Sequence, residues 1–209
     1  MRQIPVAAAA FLLALVLAGC SAGGGPPSPS APPDSAASET AGGLSATDIE
    51  ARIITGAPPE DLTWGRIGNL PADWTQLEAD QGEVQVQVGD SQCAVLLSQP
   101  AGIEPNISPE DVAHHHATAI LDGAGVEPVL DPATFQLFPA AVNADVQMEV
   151  GFTEIHFSDA EGRIEGDSYA YRAGEFALVA LAACGEGDYA EHGAGILEAI
   201  HGLAANITY

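Results

Sequence analysis

Apolar and polar positions alternate most cleanly at residues 83–88, where Val84, Val86 and Val88 fall on one side and Glu83, Gln85 and Gln87 on the other. A two-residue period of this kind predicts a half-buried strand. Gly89-Asp90-Ser91-Gln92 then turns the chain, and residues 93–99 form the next strand. Upstream, Ser45-Ala46-Thr47-Asp48-Ile49-Glu50 opens a short helix that ends near Gly56 and is stopped by Pro58-Pro59. Leu70-Pro71-Ala72-Asp73-Trp74 reads as a turn leading into an aromatic at a strand start.

A helical period begins at Ser108. Serine caps, Pro109 suits the first turn, and Glu110 and Asp111 meet the positive end of the helix dipole. The helix is expected to run to about Asp122 and stop at Gly123, with Val112, His116 and Ile120 on one face and Leu121 beside it. Residues 145–158 and 163–172 read as a long hairpin around Asp159-Ala160-Glu161-Gly162. A four-residue loop sets Phe152 opposite Tyr169, Val150 opposite Tyr171, Glu149 opposite Arg172 and His156 opposite Glu165. The apolar parity changes between Phe152 and Ile155, which predicts a bulge near Thr153 or apolar burial on both faces. Residues 175–183 are almost wholly apolar and read as a central strand. Asp188 caps a last helix with Glu191 in the reciprocal capping position, and Ile196, Leu197, Ile200, Leu203 and Ala204 make its buried face. Gly193 and Gly195 weaken its first half. The expected fold class is α+β, an antiparallel sheet flanked by helices.

The first forty-three residues follow no such pattern. One positive charge at Arg2 precedes an apolar run over residues 4–18, ending in Leu17-Ala18-Gly19-Cys20. The run has signal-peptide length and is too short for a stable span. It resembles the bacterial lipobox, which implies cleavage before Cys20, a diacylglyceryl thioether on that cysteine and an amino terminus open to acylation, palmitate included. Several acyl chains anchor far more durably than one, at roughly 0.8 kcal/mol per buried methylene. The expected organisation is a signal peptide over 1–19, a lipidated Cys20 with a Gly/Pro/Ser linker over 20–43, and one acidic domain over 44–209. The linker holds nothing able to offset the entropy of ordering it. Its reach is roughly 25 to 70 Å, depending on whether Gly or Pro sets its stiffness.

Charge sharpens this picture. The chain has 29 Asp and Glu against 5 Lys and Arg, for a net charge of −24. Such a surface repels nucleic acid and anionic headgroups. Beyond Cys20 the remaining cysteines are Cys93 and Cys184, which open one expected strand and close another. An even pair in an exported chain reads as a disulfide, with free thiols or a redox pair as the alternatives.

Three motifs invite chemistry. His114-His115-His116 cannot converge on one ion, because helical neighbours point about 100° apart. Asp111 with His115, or Glu110 with His114, supplies two ligands where a firm metal site usually takes three or four. His116, on the apolar stripe, reads as a half-buried packing residue. Gly89-Asp90-Ser91 and Gly166-Asp167-Ser168 resemble the first block of GDS-type esterases, with Asp188 and His192 in the place of a distal Asp–His pair, but no oxyanion block is visible. Phosphate loop, HExxH and thioredoxin motifs are absent from the sequence. Asn206-Ile207-Thr208 matches a glycosylation sequon that carries little weight in a bacterial lipoprotein.

The succession of a Trp-led strand, alternating strands, a helix, a long hairpin, an apolar strand and a last helix resembles the Mog1/PsbP-like α/β/α sandwich, including the LpqN-type lipoproteins of actinobacteria. The residues that carry this are Leu70–Trp74, the hairpin about Asp159–Gly162, and residues 177–183 leading to Asp188-Tyr189-Ala190-Glu191 and on through residues 196–203. The resemblance spans roughly residues 65–209. It implies a non-catalytic binding or scaffolding module and transfers no functional residues. The expectation is therefore a lipid-anchored module on the extracytoplasmic face of the cell membrane that engages an envelope protein or a small apolar ligand. No cofactor or nucleic acid is expected. The alternatives are a small serine hydrolase using Ser91 or Ser168 with His192, and divalent-metal capture through Asp111 and His115.

Overall fold

The computed structural model describes residues 46–209, apart from 56, 67, 69, 81, 145 and 186. The signal segment over 1–19, Cys20 and the linker to residue 43 lie outside the described residues. The described part is mostly sheet, with three helices. Helix α1 is Ala46–Thr55, α2 Pro109–Ala124 and α3 Asp188–His201. The strands are β1 Asp61–Trp64, β2 Thr75–Asp80, β3 Glu83–Gln87, β4 Cys93–Ser98, β5 Pro128–Leu130, β6 Thr134–Val142, β7 Val146–Asp159, β8 Glu165–Ala173, β9 Phe176–Cys184 and β10 Ala205–Thr208.

These make one ten-stranded sheet in the order β1-β10-β6-β7-β8-β9-β4-β3-β2, with β5 paired to the end of β7. Every pairing is antiparallel except β10 with β6, which is parallel. The sheet is thus mixed rather than purely antiparallel, and larger than the alternation of residues suggests. Strands β1, β5, β6 and β10 escape sequence reading, because each is short or, in β6, broken by Pro139.

The long hairpin forms, but two residues out of the expected register. Thr153 faces Ala170, Glu154 faces Tyr169 and His156 faces Asp167. The cause lies in the turn. Asp159 stays in the strand, with its N–H donating to Ile164 O at 3.0 Å while its Oδ1 accepts from Ile164 N at 3.0 Å. The loop lengthens to residues 160–164 as a result. A slip of two keeps every side chain on its face, so Phe152 and Tyr169 still share a core. Arg172 leaves Glu149 altogether: it pairs with Ala177, and Nη1 donates to the carbonyls of Pro105 and Ile107 at 3.2 and 2.6 Å. The β6–β7 register runs without a break through Thr153, so the parity change reflects burial on both faces and not a bulge.

Helix α2 covers one face, where Val112, Ala113, Ala117 and Leu121 meet Ile155, Phe157, Val179 and Leu181. Helices α1 and α3 pack on the other face through Ile49, Ile196 and Ile200 against Val95, Leu97, Phe138, Phe152 and Tyr169. Trp64 closes that core, its indole N–H donating to Val179 O at 3.2 Å and Ser98 O at 3.3 Å. Cys93 and Cys184 face each other across β4 and β9 and are joined by a disulfide.

The helix ends differ slightly from expectation. Helix α2 passes Gly123 and stops at Gly125, whose φ of 71° is the left-handed conformation that glycine adopts without a Cβ penalty. Gly187 precedes α3 in place of an Asp188 cap; the Asp188 carboxylate instead accepts from Gln92 N at 2.6 Å. Leu203 and Ala204 lie just beyond α3, and Leu203 is buried. No helix among the described residues is long and apolar enough to cross a membrane.

Candidate functional site

The irregular segment between β4 and α2 lies against the start of α2. Its walls are pinned by the main chain: Ala177 N donates to Pro100 O at 2.9 Å and Ile103 N to Glu175 O at 3.0 Å. The Arg172 guanidinium holds the far end through Pro105 and Ile107. Ser108 and Asp111 form a reciprocal capping box, with Asp111 N donating to Ser108 Oγ at 3.1 Å and Ser108 N to Asp111 Oδ2 at 2.8 Å. Between this segment and the helix lies a cleft of about 390 Å³. Pro100, Ile103, Ile107 and Val112 make its apolar walls, and Asp111, His115 and His116 its polar part. A volume of this order, with apolar walls and few polar groups, is that of a small-molecule pocket (about 300–1,000 Å³).

The polar groups are electrically distinct. Burial pushes the His116 imidazole down to about 4, helped by the neighbouring His115. His116 is therefore neutral near pH 7, with one N–H donor and one acceptor nitrogen. The hydroxyl and backbone N–H of Ser108 hold the Asp111 carboxyl below the usual range, so Asp111 is ionised.

A second polar cluster sits on the opposite face of the sheet. The Asp167 carboxylate is almost buried and accepts from His156 Nδ1 at 2.9 Å, from the Tyr169 hydroxyl at 3.1 Å and from the Tyr189 hydroxyl. His156 Nε2 reaches Glu165 at 3.4 Å. Burial, reinforced by Asp167, raises both phenols well above their ordinary value, so they remain proton donors. His156 thus links β7 to the Asp167 and Glu165 carboxylates of β8, while the Tyr189 hydroxyl ties α3 to the sheet through Asp167.

The residues singled out in the sequence fall out as follows. Asp111 is engaged in the helix cap, and its neighbour His115 lines the cleft beside it. His114 lies 3.5 Å from the Thr118 hydroxyl on the exposed side of α2. Among the described residues, no three His, Cys, Asp or Glu gather as a metal-holding set. Ser91 Oγ donates to Val88 O at 2.6 Å and accepts from Cys93 N at 3.1 Å, the bonds of a turn residue. Ser168 is buried opposite Ile155 and Leu181 on the α2 face, whereas His192 rides on α3 across the sheet, so the structure does not bring these two together. Gly166 has a packing reason: a Cβ there would lie 2.0 Å from Ala182 O and 2.7 Å from the Phe157 ring. Pro100, Ile103 and Ile107, which build the cleft, were not legible as a site. Their isolated apolar positions in a Pro- and Gly-containing loop carry no periodic signal.

No family model matches the chain, and no curated protein matches it. Among solved structures the chain is similar to cyanobacterial PsbP (CyanoP) from Synechocystis, with 8% identity, a TM-score of 0.45, and cover of 73% of this chain and 95% of that one. It is also similar to a variant of the protein Mog1, with 7% identity, a TM-score of 0.37, and cover of 68% and 90%.

Proposed function

We propose that the chain is a lipoprotein anchored through Cys20 on the extracytoplasmic face of the cell membrane, and that its α/β/α domain is a non-catalytic module that binds a small apolar ligand. The observation that carries the binding reading is the cleft walled by Pro100, Ile103, Ile107 and Val112. It is concave, its loop wall is tied down by four hydrogen bonds to the β8–β9 hairpin, and its polar groups all come from α2. The anchoring reading is supported by the apolar run ending at Leu17-Ala18-Gly19-Cys20 and the Gly/Pro/Ser stretch behind it.

Purification from membranes tests both. Mass spectrometry is expected to find a chain that begins at Cys20 with a lipid increment. Solvent extraction of the same material is expected to release an apolar compound that an Ile107→Asp variant fails to retain. A chain that still carries Met1 and no lipid contradicts the anchor. Identical extracts from the two proteins contradict the cleft.

A further inference from the structure

We propose that the half of the sheet left open on the α2 side is a docking surface for a cationic protein segment with an apolar anchor. Alternate residues of a strand take opposite faces, and directly paired residues share one. Phe138, Ala140 and Val142 of β6 enter the α1/α3 core, so Phe135, Leu137 and Pro139 lie on the other face. Helix α2 does not reach them: none of the apolar residues clustered around it lies on β6, β10 or β1. Phe135 is 77% exposed and Leu137 57%. Two large apolar side chains side by side on one strand face make a patch of the kind that marks an interaction site. None of these residues lines the cleft, so this surface stands apart from the ligand reading.

Charge decides what covers the patch. Glu149 is paired with Pro139 and exposed, and Asp61 of β1 lies on the same face, reached through β10. Arg172 shares the face through its pairing with Ala177, but its Nη1 is spent on the Pro105 and Ile107 carbonyls. An anionic lipid surface would meet these acids, on a chain with a net charge of −24, with repulsion. A second copy would bring the same acids to a self-complementary contact. A protein segment that sets Lys or Arg around an aliphatic or aromatic side chain answers both parts of the surface: the anchor covers Phe135 and Leu137, and the cations meet Glu149 and Asp61.

Titration of the purified protein, at physiological salt, with fluorescent decapeptides of alternating Leu-Lys, Leu-Glu and Ser-Lys tests this. The Leu-Lys peptide is expected to bind at least about tenfold tighter than either of the others. Replacing Phe135 and Leu137 together by Ser is expected to weaken that binding about tenfold, with an unchanged urea midpoint because both side chains are exposed. Glu149→Gln is expected to weaken it about threefold. Leu-Lys binding that is unchanged in the double variant would place the peptide on the acidic surface elsewhere and overturn the proposal. Equal binding of Leu-Glu overturns the cationic partner, and equal binding of Ser-Lys overturns the apolar anchor. A dimer in sedimentation velocity that the double variant abolishes would make a second copy the occupant. Weaker binding of the double variant than of the wild type to phosphatidylglycerol vesicles would make it a lipid surface. Either result overturns the proposal, as does failure of all three peptides to bind.

Discussion

Asp167 takes hydrogen bonds from three side chains on three different elements while only 7% exposed. A buried donor that loses its acceptor costs about 1–3 kcal/mol. Asp167→Ala is therefore expected to lower the unfolding free energy by about 3 kcal/mol, and Tyr189→Phe by about 1 kcal/mol, as read from urea midpoints. Midpoints that do not move would deny the cluster its role in docking α3. The sequence set His156 opposite Glu165; in the structure Asp167 takes that place and Glu165 remains only as a diagonal neighbour at 3.4 Å. Asp167 as the main partner was not legible, because the turn chemistry of Asp159 shifts the register by two, and Tyr189 arrives from a helix start with no spacing rule to place it. His116 supports a second prediction. Its folded value of about 4 lies below the ordinary 6.5. The unfolded chain therefore takes up the proton first, and the stability present above pH 6.5 declines as pH falls toward 4. The loss attributable to this residue is about 3 kcal/mol, and His116→Leu is expected to flatten the stability profile in that window. A profile equally steep in the variant would contradict the buried, neutral imidazole.

At the level of elements, pattern and period served well where an element is amphipathic. The valines at 84, 86 and 88 all point into the α1/α3 face, and the capping box at Ser108 starts α2 where the sequence places it. Legibility failed where an element depends on partners far along the chain. Strand β10 holds its place by parallel pairing to β6 and antiparallel pairing to β1, neither of which leaves a local trace. The same holds for the segment between β4 and α2, whose shape is dictated by Arg172 on a distant hairpin. Arg172→Leu removes two of the bonds that hold this wall. Such a variant is expected to bind octan-1-ol, a small apolar probe of the cleft, about tenfold more weakly and to be cut faster by protease within residues 101–106. A wall that is no more readily cut, with affinity unchanged, would show that the guanidinium does not hold the cleft open.

On the scale of the whole molecule, one disulfide and two packed faces keep a ten-stranded sheet in register. The bond closes a separation of 91 residues. The chain-entropy estimate for such a loop is about 4–5 kcal/mol. Replacing Cys93 and Cys184 together by Ala is expected to lower the unfolding free energy by about 4 kcal/mol, measured against the intact protein under oxidising conditions. The pairing itself was legible because both cysteines sit at the ends of predicted strands. The extent of the sheet was not, because β1 and β10 join it through distant partners, β5 is short and β6 is interrupted by Pro139. The proposed cleft shares Val112, Ile103 and Ile107 with the core under α2, so its walls are held by the packing of the fold itself. The most direct test follows the backbone amide resonances of the isotopically labelled chain during titration with octan-1-ol. The predicted result is a set of saturating shifts confined to residues 99–116 and the contacting turn at Gly174-Glu175. Shifts centred elsewhere on the sheet, or none at millimolar alcohol, would contradict the account.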